Sequence, residues 1–267
     1  MSPLTITIKA WSAWAPGLTH EEDWQQWARG QRDIGGDTPV NAQSIPAMLR
    51  RRLSSLGKMA LATAIPLLDQ PATELDNVEA DMPAVLVSRH GDLHRTVTLL
   101  TDLAQDEELS PTHFSLSVHN AIGGLLSITR KDPSSITALA CGFEDISSAL
   151  LEAQAILSEQ GCAQVLCLIY DEPIPEVYRT HGMPQDELIL PSFPYAVAFM
   201  LERAPSTSSL QVDLRLCRAD AANADTAEGD EPQALTLMRW LLTDAPQLKL
   251  VGLRNTWLWS RPPAAQS

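Results

Sequence analysis

The chain has 267 residues, with 19 Lys and Arg against 33 Asp and Glu, a formal net charge of −14. That balance argues against nucleic acid and against an anionic membrane surface, since both must be met by clustered Lys and Arg. With 45% hydrophobic residues and a mean hydropathy of −0.07 the chain can bury a real core, which excludes wholesale disorder; at roughly 150 residues per domain its length allows one large domain or two small ones.

The predicted elements alternate strand and helix. Leu4–Ile8 alternates apolar and polar and reads as a strand running to a turn at Trp14-Ala15-Pro16-Gly17. Thr19 then precedes Glu21-Glu22-Asp23, acids suited to a helix's first turn, with Trp24 and Trp27 one turn apart. Pro46 is expected to open a longer helix with Leu53, Leu56, Ala60, Ala64 and Leu67 on one face. Arg50, Arg51 and Arg52 would sit near its start, a poor place for the macrodipole; they read as a solvated face, with an acidic partner as the rival. Ala84–Val87 is a buried strand, followed by helices over Leu93–Ala104 and Val118–Thr129. In the second of these, Ala121, Gly123 and Gly124 permit close backbone approach.

Ile136–Ala140 reads as a strand, and Ile146, Ala149, Leu150, Ala153 and Ile156 form a helical stripe. Val165–Tyr170 is a buried strand, and Tyr195–Arg203 and Leu210–Leu216 are expected to be adjacent strands. Ala219–Glu231 reads as a mobile loop, Leu235–Leu242 as a helix and Leu248–Trp259 as a single terminal strand. The whole is an α/β layer pattern.

The longest apolar stretches are strand-length, so no membrane span is expected, and Met1–Ile8 lacks the basic and apolar regions of a signal peptide. The four cysteines contain no Cys-x-x-Cys pair, which fits a reducing cytoplasm. His90 and His94 have the spacing of two metal ligands on a helix, but Gly91 interrupts it and no third ligand is evident, so no metal is expected. Gly35-Gly36 and Gly123-Gly124 lack a phosphate-loop context, and no Gly-x-Ser-x-Gly elbow is present. Cys141 lies between a strand and a helix, where a helix N-terminus would favour thiolate; Glu144 and Asp145 oppose it, and the bland reading is a small buried hydrophobe. His113 and His119 could each serve as a general base or as a hydrogen-bonded structural histidine.

Several segments resemble the β-ketoacyl synthase pattern, in its order. They are Ile6–Gly17, Arg51-Arg52-Leu53 through Ala64, Ser110-Pro111 with Asn120-Ala121, Gly124 and Ile128, Pro133–Cys141, and Tyr195–Glu202. Ser88-Arg89-His90-Gly91-Asp92-Leu93 and Phe114–Ala121 are similar to the short ketosynthase-like subunits called chain length factors, especially those of aryl polyene clusters. The resemblance implies a thiolase-like fold, truncated to the N-terminal ketosynthase half. Residues 1–203 would be the ketosynthase-like domain and residues 204–267 divergent strands and a helix completing it.

It also implies a non-catalytic role in type II polyketide, aryl polyene or fatty-acid-like biosynthesis. Nothing after Leu201 resembles the two histidines or the glycine-rich loop of a ketosynthase's second half, and His181-Gly182-Met183 precedes the Tyr195 strand. Cys141 aligns at the nucleophile position from Pro133, whereas alignment on Val165–Tyr170 puts that position nearer Glu144. No cofactor is implied. The expected partner is a catalytic ketosynthase, forming a heterodimer that meets acyl carrier protein through the complex. Pairing would run through Ile136 and Leu139 of the strand before the nucleophile position. Leu116, Val118 and Asn120 would reach the partner, with His113 and Phe114 closing its acyl tunnel.

A half-fold should leave a large apolar face uncovered, and seven of the fourteen aromatic residues are Trp, a common interface anchor. The rival reading is a self-sufficient acyltransferase or thioesterase using Cys141 with His113 or His119. A third is a purely structural stabiliser.

Overall fold

The computed structural model describes residues 3–69, 82–159, 161–181, 191–205, 209–218, 231–252 and 255–262. They build one eight-stranded sheet with helices on both faces, in the strand order β3-β2-β4-β5-β1-β6-β8-β7. The strands are β1 (Leu4–Trp14), β2 (Ala84–Val87), β3 (Ile136–Leu139), β4 (Gln164–Asp171), β5 (Tyr195–Glu202), β6 (Leu210–Arg218), β7 (Gln247–Val251) and β8 (Asn255–Ser260). β3, β2 and β4 are parallel, and every other pairing is antiparallel.

The helices are α1 (Glu21–Ala28), α2 (Ala47–Arg50), α3 (Ser55–Leu68), α4 (Leu93–Ala104), α5 (Pro111–Ser117), α6 (Ala121–Arg130), α7 (Asp145–Ser158), α8 (Glu176–His181) and α9 (Gln233–Leu241). The chain leaves β2 through α4, α5 and α6 to reach β3, then returns through α7 to β4 on the other side of β2. This reversal puts α6 and α7 on opposite faces, as right-handed crossovers require. α3 and α6 cover Leu86, Leu166, Leu168, Ala198 and Met200; α1, α7 and α9 cover Val85, Cys167, Phe199, Val212 and Trp259. In α7 the apolar stripe holds except at its end: Ile146, Ala149, Leu150 and Ala153 are fully buried, each large one contributing about 1.5–3 kcal/mol, while Ile156 is half-buried.

Several expectations change. The helix expected from Pro46 is two helices, because the Ser54 hydroxyl accepts from the Gly57 N–H and caps a fresh start at Ser55. Arg50 thereby falls in the last turn of α2, where a cation is favourable, and its guanidinium donates to the Ala42 carbonyl. The helix expected over Val118–Thr129 begins at Ala121, with Val118 ending the separate helix α5.

The Leu248–Trp259 segment is a hairpin rather than one strand, turning at Gly252, whose N–H donates to the Asn255 carbonyl. Strands β5 and β6 are not neighbours: β1 lies between them, pairing with β5 through one half and with β6 through the other. On β6, Val212 and Leu214 are buried as their shared face predicts, while Leu216 near the strand's end is exposed. Residues 219–230 of the expected mobile loop lie outside the described residues.

The tryptophans and the sheet faces also depart from expectation. Trp24, Trp27, Trp240, Trp257 and Trp259 are core residues, and Trp11 and Trp14 are half-buried; none is an exposed anchor. Trp27 is further held by the Arg239 guanidinium 4.0 Å over its ring, with Arg239 Nη1 donating to the Trp27 carbonyl. Both faces of the sheet carry helices, so no large apolar sheet face stands open on the ketosynthase-like strands. Among the described residues, seven of the eleven exposed large apolar side chains lie between Leu100 and Leu151.

The small residues of α6 divide by function. A Cβ at Gly123 would lie 2.8 Å from Ile136 Cγ2, whereas one at Gly124 meets nothing within 4 Å. Gly123→Ala is therefore expected to cost about 1–3 kcal/mol by pushing α6 off β3, while Gly124→Ala should stabilise by about 0.5–1 kcal/mol through helix propensity. Urea unfolding of the two variants checks this.

Candidate functional site

The C-terminal ends of the three parallel strands converge where the chain reverses direction, the place at which open α/β sheets form their sites. Each end delivers a polar group. β2 runs into Ser88, fully buried, whose hydroxyl donates to Asp171 Oδ1 at 2.8 Å at the end of β4. The Arg89 N–H donates to the same oxygen at 2.9 Å. Gly91, at φ 61°, turns its N–H back to Ser88 Oγ at 2.9 Å, a conformation that costs glycine little. His119 Nε2 donates to the Ser88 carbonyl at 2.8 Å, which fixes its Nε2–H tautomer. From β3 the chain passes Cys141, whose N–H donates to Asp145 Oδ1 at 3.0 Å, through a single 3₁₀ turn, Gly142–Glu144, into α7.

Two carboxyls of this cluster are buried and shifted. Burial, reinforced by the Asp145 charge, pushes Asp171 up to about 7 despite its bonds to Ser88 and Arg89. Burial pushes Asp145 up to about 6, against the pull of Arg89, the Cys141 N–H and His119. The phenol of Tyr195 is pushed up by burial and by both acids. The cluster gathers two buried acids and ties the ends of β2 and β4 to the segments carrying His119 and Cys141.

The Cys141 thiol is pushed up as well, first by burial and then by Asp145, Glu144 and Glu152, with a hydrogen bond involving Ser148 acting the other way. Burial and the carboxylates thus act against the thiolate that a helix N-terminus would favour, Glu144 and Asp145 among them as their place in the sequence suggests. His119 is engaged with Ser88, and His113 is exposed on α5, its N–H donating to the capping Ser110 Oγ.

His90 and His94 do not share a helix: α4 starts at Leu93, and His94 Nε2 donates to the Pro173 carbonyl at 2.9 Å. Among the described residues no group of three or more His, Cys, Asp or Glu could hold a metal. All four cysteines are free.

The remaining sequence-predicted residues fall on one flank. Ile136 and Leu139 lie on β3, an outer edge of the sheet, and are half-buried; Ile136 packs against α6 through Gly123. Phe114 is 60% exposed, Val118 and Asn120 are exposed, and Leu116 is half-buried. Sequence reasoning missed Asp145 and Asp171 as a pair. The available signal was a Ser and an Asp directly following two buried strands.

The raised acids set a pH dependence. Unfolded, both titrate near about 4; folded, they hold their protons to about 6 and about 7. The native state therefore binds more protons over that window, and their contribution to stability falls as pH rises from about 4 to about 7, then levels. Asp171→Asn keeps an acceptor for Ser88 and Arg89 without the charge. It should flatten the dependence, gaining on the wild type at pH 8 and not at pH 5; parallel melting curves at all pH values would refute this.

Residues 24–260 match the family described as β-ketoacyl synthase, N-terminal domain. The chain is similar to a chain of the solved structure titled as a ketosynthase (ApeO) in complex with its chain length factor (ApeC) from Xenorhabdus doucetiae. The two are 29% identical with a TM-score of 0.77, and the match covers 97% of this chain and 100% of that one. The ishigamide ketosynthase/chain length factor matches at 16% identity and a TM-score of 0.60, over 82% of this chain and 69% of the other.

A β-ketoacyl synthase from Burkholderia phymatum STM815 matches at 11% and 0.57, over 83% of this chain and 65% of that one. These last two share the fold alone. No curated protein sequence matches. No helix among the described residues is long and apolar enough to cross a membrane. The sheet and its two helical layers are the thiolase-like ketosynthase fold, and the chain belongs to the β-ketoacyl synthase N-terminal domain family.

Proposed function

We propose that this chain is a non-catalytic, chain-length-factor subunit that pairs with a catalytic β-ketoacyl synthase and shapes its acyl tunnel. The setting would be type II polyketide, aryl polyene or fatty-acid-like biosynthesis in the cytoplasm. The observation that carries the reading is the flank formed by β3, α5 and α6. There an outer strand of the sheet packs against α6, which carries exposed Ile128, and α6 in turn packs against α5, which carries exposed Phe114 and ends at exposed Val118. An edge strand offers unpaired N–H and C=O groups as a template for another chain, and the apolar rim gives that contact a surface to bury.

The near-complete mutual coverage with a chain from a ketosynthase–chain length factor complex supports the same reading. So does the Cys141 setting. Condensation needs a thiolate with oxyanion and proton-transfer groups beside it, and here the thiol is raised and surrounded by carboxylates. Residues 1–203 carry this flank, and residues 204–267 complete the same domain by extending the sheet past β1.

In the complex, the catalytic subunit performs the chemistry and supplies the basic patch for acyl carrier protein, since a −14 subunit repels an acidic carrier. His113 and Phe114, both exposed on α5, reach the partner's tunnel and limit chain length by occupying the volume further methylenes would need. The half-exposure of Cys141 favours the rival acyltransferase or thioesterase reading, but its histidines serve elsewhere: His119 on Ser88 and His113 in solvent.

Co-expression with a ketosynthase tests the proposal. Wild type should co-purify as a heterodimer, and Phe114→Asp and Val118→Asp should lose the complex with unchanged circular dichroism, since both positions are exposed. His113→Ala and Phe114→Ala should keep the complex and lengthen the products; an unchanged length distribution would leave only a stabiliser. Cys141→Ala should leave product yield unaltered, and loss of thioester turnover by the isolated chain in that variant would establish the rival.

A further inference from the structure

The C-terminal hairpin has a contact that its place in the sheet does not require. β7 and β8 lie at the opposite end of the strand order from β3, yet their turn meets the 3₁₀ turn that follows β3. One oxygen of Glu144, Oε2, accepts from Asn255 Nδ2 at 2.8 Å and from Trp257 Nε1 at 2.9 Å. Gly252 makes room for it: a Cβ there would lie 2.4 Å from Glu144 Cγ and 2.5 Å from Oε1.

The indole bond is selective. Trp14, Trp24, Trp240 and Trp259 have buried indole nitrogens without a hydrogen-bond partner among the described residues, while the Trp257 indole is satisfied by a carboxylate. Charge-assisted bonds of this kind are roughly twice as strong as neutral ones. Glu144 immediately precedes α7, and the Cys141 N–H is bonded to Asp145 one residue further on. Whatever holds Glu144 therefore holds the whole segment from the end of β3 to the start of α7.

We infer that Glu144 is the positioning residue through which the C-terminal hairpin holds the Cys141–Asp145 elbow, and with it the β3 edge, in the pose a partner meets. The clause about the partner rests on the subunit reading above; the hold on the elbow does not. Glu144 also contributes to the field that raises the Cys141 thiol, so it has two separable effects: its charge acts on the thiol, and its bonds act on the pose.

Amide hydrogen exchange over residues 136–148 of the full chain, together with iodoacetamide alkylation of Cys141 followed by mass spectrometry, separates them. Glu144→Ala and Gly252→Ala should each speed elbow exchange roughly tenfold, by loss of the two bonds or by displacement of the side chain. Glu144→Gln, which keeps the shape and an acceptor but loses the charge assistance, should speed exchange clearly less than Glu144→Ala. Alkylation should be about threefold or more faster in Glu144→Gln, where the charge is gone. If Gly252→Ala fails to fold, Asn255→Ala, which removes a single donor, takes its place and should also speed exchange.

Elbow exchange unchanged in both Glu144→Ala and the hairpin variant would overturn the inference. Ketosynthase binding then decides the last clause: Glu144→Ala should weaken it roughly tenfold and Glu144→Gln by clearly less. A loosened elbow with undiminished binding would overturn that clause, and a wild type that binds no ketosynthase would overturn the subunit reading while leaving the latch in place.

Discussion

A sheet whose two faces are both clothed by helices can offer a partner backbone groups only at an edge, and much of this molecule follows from that constraint. The reversal at β2 sends α6 to one face and α7 to the other, burying Leu86 on one side and Val85 and Val87 on the other. It leaves β3 outermost, four residues long and paired on one side by β2. Because β3 is short, it contributes few backbone bonds of its own, and the side chains beside it must supply most of any contact. Of the neighbouring helices α6 packs on β3, and α5 and α4 follow it in turn, each with exposed apolar residues. The same reversal brings the ends of β2, β3 and β4 together, so the polar cluster and the open edge have one origin.

The electrostatics of that cluster act against a thiolate at Cys141. A reactive cysteine needs a cationic or dipolar setting that stabilises thiolate. Here the cation, Arg89, acts on Asp145 and Asp171, whose burial keeps them protonated well above the ordinary carboxylate range, and the thiol is left among acids. Ser88 is spent on Asp171 and on the Gly91 N–H, and His119 on the Ser88 carbonyl. Ser88, Asp171 and His119 thus form one hydrogen-bonded chain that joins the loop ends.

Local pattern was enough for the elements whose burial is periodic along the chain. The Leu93–Ala104 helix, the Ala84–Val87 strand and the α7 stripe follow from spacing alone. Elements decided by a single capping or turn residue were not legible: the break before Ser55 depends on one hydroxyl, and the terminal hairpin on a turn that begins at Gly252. The position of β1 between β5 and β6 is set by pairings about two hundred residues apart in sequence, which no local period encodes. Tryptophan number pointed to an interface, yet all but Trp14, which packs on the other face, belong to the core between α1, α7, α9 and the sheet.

The site was less legible than the fold for a related reason. Asp145 at a helix start and Asp171 at a strand end each look like ordinary surface acids; only the convergence of three strand ends makes them a buried pair. Phe114 and Val118 could be singled out because they carry the resemblance of a whole segment, and their exposure is a fact about tertiary packing. The C-terminal region lies at the other extreme. Its Asn255 and Trp257 bear no recognisable spacing to Glu144, from which they stand 111 and 113 residues away. A contact of one carboxylate with an amide, an indole and the space left by a missing Cβ leaves no periodic trace. Within such a chain, a segment without a pattern can still have a specific job, and the measure of that job is the geometry it imposes on residues a hundred positions upstream.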